Sequence, residues 1–84
     1  MSELLDPKNL EINRKFNENF SWFTKNYGYL RNNFANKLVA IDDNDVLYSD
    51  IDINSLLKRL REKYNDIRHI VIQYVSESDN ILTM

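Results

Sequence analysis

Across 84 residues the chain presents helical, strand, strand, helical and strand patterns in turn. That order predicts an α+β domain, a two-layer sandwich in which a three-stranded mixed sheet carries its helices on one face. Three observations carry the prediction. Phe16, Phe20, Phe23, Tyr27, Leu30 and Phe34 recur at spacings of three and four, which is one face of a helix. Two short apolar runs, 38–41 and 46–48, flank Asp42-Asp43-Asn44-Asp45, the pattern of a hairpin. A leucine stripe then leads into Ile70-Val71-Ile72-Gln73-Tyr74-Val75, a run rich in β-branched residues.

The first helix starts at Asp6-Pro7, a capping carboxylate followed by proline at the first helical position. Ile12 extends the aromatic line, so the spacing predicts one helix from Pro7 or Arg14 to Phe34. Gly28 sits inside it at a cost of about 1 kcal/mol relative to alanine. If the helix breaks instead, Ser21 is placed to cap a second segment. Asn36 suits the left-handed conformation that ends a helix. In the hairpin, Asp43 and Asn44 tolerate the positive φ of a two-residue turn. That turn opposes Ile41 to Val46, Ala40 to Leu47 and Val39 to Tyr48.

Asp50 or Asp52 is placed to cap the next helix, whose apolar stripe is Ile53, Leu56, Leu57, Leu60 and Tyr64. Residues 65 and 66 end it. A strand–helix–strand connection is right-handed, which sets the second and third strands parallel in direction. The first strand, the more apolar of the hairpin pair, belongs in the centre, giving the order 2-1-3. One domain is expected over residues 1–84, with an ordered core over 8–75 and loose ends at 1–6 and 76–84.

Composition restricts function mainly by exclusion. A chain this short buries about 60–65% of its unfolded surface, so self-association is an expected route to stability. The net charge of −2 gives no global pull towards nucleic acid or anionic membrane. Without cysteine there is no disulfide, thiolate zinc site or cysteine nucleophile. No leader segment and no spanning apolar run is readable, so the expected location is cytoplasmic.

Within residues 16–75, Trp22, Phe23, Tyr27, Leu30, Lys37, Val39, Ala40, Ile41, Val46, Leu57 and Leu60 form a connected pattern: an aromatic pair, a Lys-x-Val-Ala-Ile strand, a leucine-rich helix and a final apolar strand. This pattern resembles a small archaeal and bacterial family of unknown function. The chain departs from it in two places: Ala35-Asn36 stands where Pro-Gly is common, and Gly28 where a polar helix former is usual. The resemblance implies the fold and assigns no activity.

Several clusters invite a chemical role. The aspartates around the hairpin do not fit a calcium loop, because Leu47 and Tyr48 fall where an oxygen ligand and a glycine belong. They are explained as turn, sheet-edge and cap residues. His69 has no second histidine or cysteine with which to share a transition metal, and it reads as a surface residue at a strand end. Ser21, Ser49 and Ser55 lack a glycine-flanked elbow. No enzyme activity, cofactor or metal is expected.

Two candidate surfaces remain. Trp22 and Tyr29, seven residues apart on one helix, share a flank about 120–140° from the aromatic face, as interface anchors would. Either the first helix is buried on this flank too, with the tail or the sheet rim covering Trp22, or the pair points to a protein-interaction module whose partner is another protein or a second copy. Lys58, Arg59, Lys63 and Arg68 form the alternative, a surface for nucleic acid or another anionic partner. Glu62 interrupts it, and Tyr64 belongs to the buried stripe.

Overall fold

The computed structural model describes residues 7–77. Its elements are α1 (Pro7–Lys25), α2 (Tyr27–Phe34), β1 (Lys37–Asp42), β2 (Asp45–Asp50), α3 (Ile53–Lys63) and β3 (Val71–Val75). The fold is α+β, with a three-stranded sheet in the order β2-β1-β3. α1 begins at the proline; its expected cap, Asp6, lies outside the described residues, as do most of the two ends expected to be loose.

The long aromatic helix is broken, and the break is at Asn26, two residues before Gly28. Asn26 leaves the helical region (φ −110°, ψ 21°) and makes no capping bond. Its backbone N–H and its Nδ2 both donate to the Trp22 carbonyl, at 3.0 and 2.9 Å. A side chain competing for the ladder's own acceptor bends a helix. Ser21, the alternative cap, lies in mid-helix. Gly28 is not required by space, since an added Cβ would meet nothing within 4 Å.

α2 ends as its sequence predicts: Asn36 takes a φ of 64° just beyond the helix. Asp43 and Asn44 take φ of 53° and 60°, giving the mirror-image turn that matches strand twist. Ile41 opposes Val46, but the register then shifts between Ala40 and Ile41. Ala40 pairs with Tyr48 and Val39 with Ser49, so Leu47 is the extra residue of a bulge and the expected Ala40–Leu47 and Val39–Tyr48 pairs do not form. Asp50 closes β2, while Asp52 caps α3 by accepting from the Asn54 N–H at 3.2 Å and the Ser55 hydroxyl at 3.0 Å.

Two features of the expected sandwich are corrected. The sheet is antiparallel rather than mixed: β1 lies between β2 and β3 and runs antiparallel to each. β2 and β3 do point the same way, but they are not neighbours. The helices also cover both faces instead of one. Val39 and Ile41 pack with Phe23, Leu30, Val71 and Val75 beneath α1 and α2. Ala40 packs with Leu56, Leu60 and Ile70 beneath α3. The reason lies in β1: Val39, Ala40 and Ile41 are all fully buried, and neighbours in a strand face opposite ways. A strand apolar at both parities needs cover on both sides.

Candidate interaction surface

α1 and the sheet differ in length, and the mismatch defines the surface. Nineteen residues of helix extend about 28 Å. Strands of five and six residues extend about 17–20 Å. Within α1 only Asn19 and Phe23 are buried, both in the C-terminal half.

Asn19 is the point at which the helix leaves the sheet. Its Nδ2 donates to Asp42 Oδ1 at 2.9 Å and to the His69 carbonyl at 2.8 Å. Its Oδ1 accepts from the Asp43 N–H at 3.2 Å. His69 Nε2 lies 3.2 Å from Asp42 Oδ2, where an Nε2–H donates to the carboxylate. One amide thus ties α1 to the end of β1, the turn and the residue leading to β3. His69 is therefore not the surface histidine expected from its sequence position; its side chain is largely covered, and Asp42 belongs to the network as well as to the strand end.

Ahead of Phe23 the aromatic face is only partly covered: Phe16 and Phe20 are 37% and 39% exposed, although they share a face with the buried Phe23. Their rings stack with centroids 6.3 Å apart. The line continues from Phe20 to Phe23 at 5.9 Å and from Phe23 edge-on to Tyr27 at 5.4 Å. The Tyr27 hydroxyl accepts from the Ser76 N–H at 2.9 Å, at the far end of β3. The ring line therefore begins under the helix on the sheet and runs out beyond it. Sequence spacing placed all six aromatic-face residues on one helix face; comparing helix length with strand length is the signal that separates Phe16 from the rest.

The outer side of the same turns carries charge. Arg14 donates to Glu11 Oε1 at 3.2 Å and to Glu18 Oε2 at 2.6 Å. The guanidinium holds the Glu11 carboxyl below its ordinary value, mainly through these hydrogen bonds. All three side chains are about half exposed or more, so the ladder supports the helix locally.

The break at Asn26 places Trp22 on α1 and Tyr29 on α2. Trp22 is half-buried against the α1/α2 core and forms part of an open groove of about 430 Å³ with Glu18, Ser21, Lys25 and Asn44. Tyr29 is 54% exposed and packs its edge on Phe34.

The four basic residues are likewise divided. Arg59 lies over the Tyr48 ring, 5.7 Å from its centroid, and 4.0 Å from an Asp50 oxygen. Arg68 grips Asp66 in a two-pronged pair at 2.8–3.2 Å and holds its carboxyl well below the usual range. Lys58 and Lys63 are exposed on α3. Two of the four cations are thus engaged by carboxylates of the chain itself. Among the described residues, no group of three or more His, Asp and Glu side chains is arranged to hold a metal. No helix among them is long and apolar enough to cross a membrane.

The fold and this surface define a small α+β domain, a split strand–helix–strand unit closed by an aromatic helix, with no site that names a reaction. Residues 30–78 match DUF5678, a family of unknown function, and the chain belongs to that family. The match starts at Leu30, in α2, so it takes in the sheet and α3 while Trp22, Phe23 and the whole of α1 lie before it. No curated protein and no solved structure matches the chain.

Proposed function

We propose that the protein is a non-catalytic protein-interaction module that presents the Phe16–Phe20 stretch of α1. The observation that carries this is the stacked pair Phe16 and Phe20, both partly exposed on the aromatic face ahead of the buried Phe23. Apolar surface of this kind gains free energy when a partner removes it from water, at roughly 25 cal/mol per Å². Aromatic side chains are the residues most often found as anchors in such contacts. The groove beside Trp22, lined by Glu18, Ser21, Lys25 and Asn44, has the same chemistry, an aromatic ring bordered by polar groups.

A catalytic role has less to rest on, since the one histidine is committed to Asp42. An anionic partner has less to rest on as well, since Arg59 and Arg68 are engaged within the chain.

The test places a photoreactive phenylalanine analogue at position 16 of the full chain, in cells, with the same analogue at the exposed Asn32 as reference. Irradiation is expected to join position 16 to a discrete protein, or to a second copy, well above the level at position 32. Equal labelling from the two positions sinks the proposal.

A further inference from the structure

The two edges of the sheet are built differently. β2 carries a bulge at Leu47 and has Asp45 and Asp50 at its ends. Bulges and charges are the devices that keep a strand edge from pairing with another chain. β3 has neither. Its sequence is Val71-Ile72-Gln73-Tyr74-Val75, without charge or proline, and its register with β1 is unbroken over all five residues. Among the described residues its outer side pairs with no strand.

That edge is also complementary to itself. An antiparallel pairing of two copies about a two-fold axis at Gln73 sets Val71 of each opposite Val75 of the other. It sets Ile72 opposite Tyr74, and Gln73 opposite Gln73. The valines lie on the α1/α2 side, where both are fully buried in the monomer core. The Ile–Tyr pairs lie on the α3 side, where Tyr74 is 50% exposed, and pairs of β-branched with aromatic residues are favourable there. The two central amides can bond each other. No apolar residue meets a charge at any of the five positions.

A five-residue edge alone is small against the roughly 800 Å² per partner of a stable interface. The helices supply the rest. α1 runs in the same direction as β3: Asn19 binds the His69 carbonyl at the start of β3, and Tyr27 binds Ser76 at its end. Residues 7–16 therefore project past the start of β3. The two-fold axis brings the end of the other copy's β3 beside that start. With it comes the other copy's α2, which carries the exposed Tyr29 packed on Phe34. The same rotation that pairs the strands thus sets Phe16 and Phe20 of one copy towards the aromatic end of α2 in the other.

We propose that the outer edge of β3, which pairs with no strand among the described residues, is the surface through which two copies of this chain associate, antiparallel about Gln73, with each α1 overhang packing towards α2 of the other copy. The proposal rests on the interaction-module reading above and names its partner as a second copy.

The chain has no cysteine, so a single one reports its neighbour without interference. Opposed residues of an antiparallel pair have Cα atoms about 4.5–5.5 Å apart, within disulfide range. In the full chain, Gln73→Cys is expected to form a covalent dimer rapidly under mild oxidation, and Asp45→Cys at the β2 end is expected not to. Sedimentation equilibrium of the unsubstituted chain is expected to show a dimer at tens of micromolar. Should Gln73→Cys fold poorly, Tyr74→Lys provides a second route at an exposed position; it alters two symmetry-related pairs and is expected to raise the dimer dissociation constant by about tenfold.

A monomer at 100 micromolar overturns the proposal. So does a dimer that is indifferent to Tyr74→Lys, or one whose Gln73→Cys form cross-links no faster than Asp45→Cys. If a different protein is captured from position 16 while the chain sediments as a monomer, this inference fails and the interaction-module reading stands. If neither position 16 nor Gln73→Cys joins anything, both fail.

Discussion

Asn19 and Phe23 seat α1 on the sheet, and residues 7–16 extend past it, although one aromatic spacing runs through both and Phe20, between the two anchors, stays 39% exposed. Within residues 19–25 Phe23 is 7% exposed and packs with Leu30, Val39, Ile41, Val71 and Val75. Within residues 7–16 Phe16 is 37% exposed, and the ring contact it makes is with Phe20 of its own helix. Helical periodicity fixes which side chains share a face. Whether that face is core or surface depends on where the sheet stops.

The comparison is tested most severely by paired truncations. Phe23→Ala removes a ring from a filled core and is expected to cost about 3–4 kcal/mol. Phe16→Ala removes a ring held by its own helix and by Phe20, and about 1 kcal/mol is expected. Urea unfolding at one fixed protein concentration measures both, the fixed concentration being needed because association adds to apparent stability. Equal losses would mean that residue 16 belongs to the core and that the two halves of α1 do not differ.

Asn19 marks the boundary, and its removal comes next in size. Asn19→Ala leaves the Asp43 N–H and the His69 carbonyl without their side-chain partner and takes a donor from Asp42. Groups left buried and unpaired are expensive; with Asp42 and His69 each retaining some exposure, about 2 kcal/mol is expected. The loss should also loosen α1 against the turn, so amide exchange of residues 19–25 should rise towards that of residues 7–16. A drop in stability with exchange unchanged in residues 19–25 would show that Asn19 does not seat the helix.

These differences show what the sequence made legible. Spacing and turn chemistry located the strands, α3 and the aromatic helical stretch (read as one helix), the central place of β1, the positive φ at Asn36, Asp43 and Asn44, and the cap of α3 to within Asp50 or Asp52, because each depends on a few neighbouring residues. The family pattern was legible from residue 30 onward for the same reason. What was missed depends on relations across the fold. The bulge at Leu47 puts Leu47 and Tyr48 both against the cluster of Ala40, Leu56 and Leu60, a cross-strand relation that local spacing does not contain. The second helical layer follows from Ala40, a small residue that reads as filler until both faces of β1 are counted. The break at Asn26 depends on one side chain reaching back to Trp22, and it put Trp22 and Tyr29 on separate helices. The exposure of Phe16 follows from two lengths that no local window contains.

The smallest expected effect concerns how the first turns of α1 stay helical. Among the described residues none between 7 and 16 is buried, and a short helix is marginal in water by itself, so local pairs matter more in residues 7–16 than in residues 19–25. The Glu11–Arg14–Glu18 ladder is fully solvent-facing and screened, and its contribution is correspondingly small. Its sign is nevertheless definite. Arg14 lowers the Glu11 carboxyl below its ordinary 4.5 in the folded chain, so the folded state favours the carboxylate. That contribution is complete above the ordinary value and is lost as the pH falls below about 4.5 and through the lowered one. Amide exchange of residues 7–16, corrected for intrinsic rate, is therefore expected to speed up by a few-fold on acidification across that range. In Arg14→Ala the exchange should already be faster at neutral pH and its acid dependence flatter. Residues 19–25 should show little difference between the two proteins, because Phe23 and Asn19 hold them. An equal response to Arg14→Ala in both stretches would mean that α1 opens as one unit, and the distinction between its halves would then be one of exposure and not of stability.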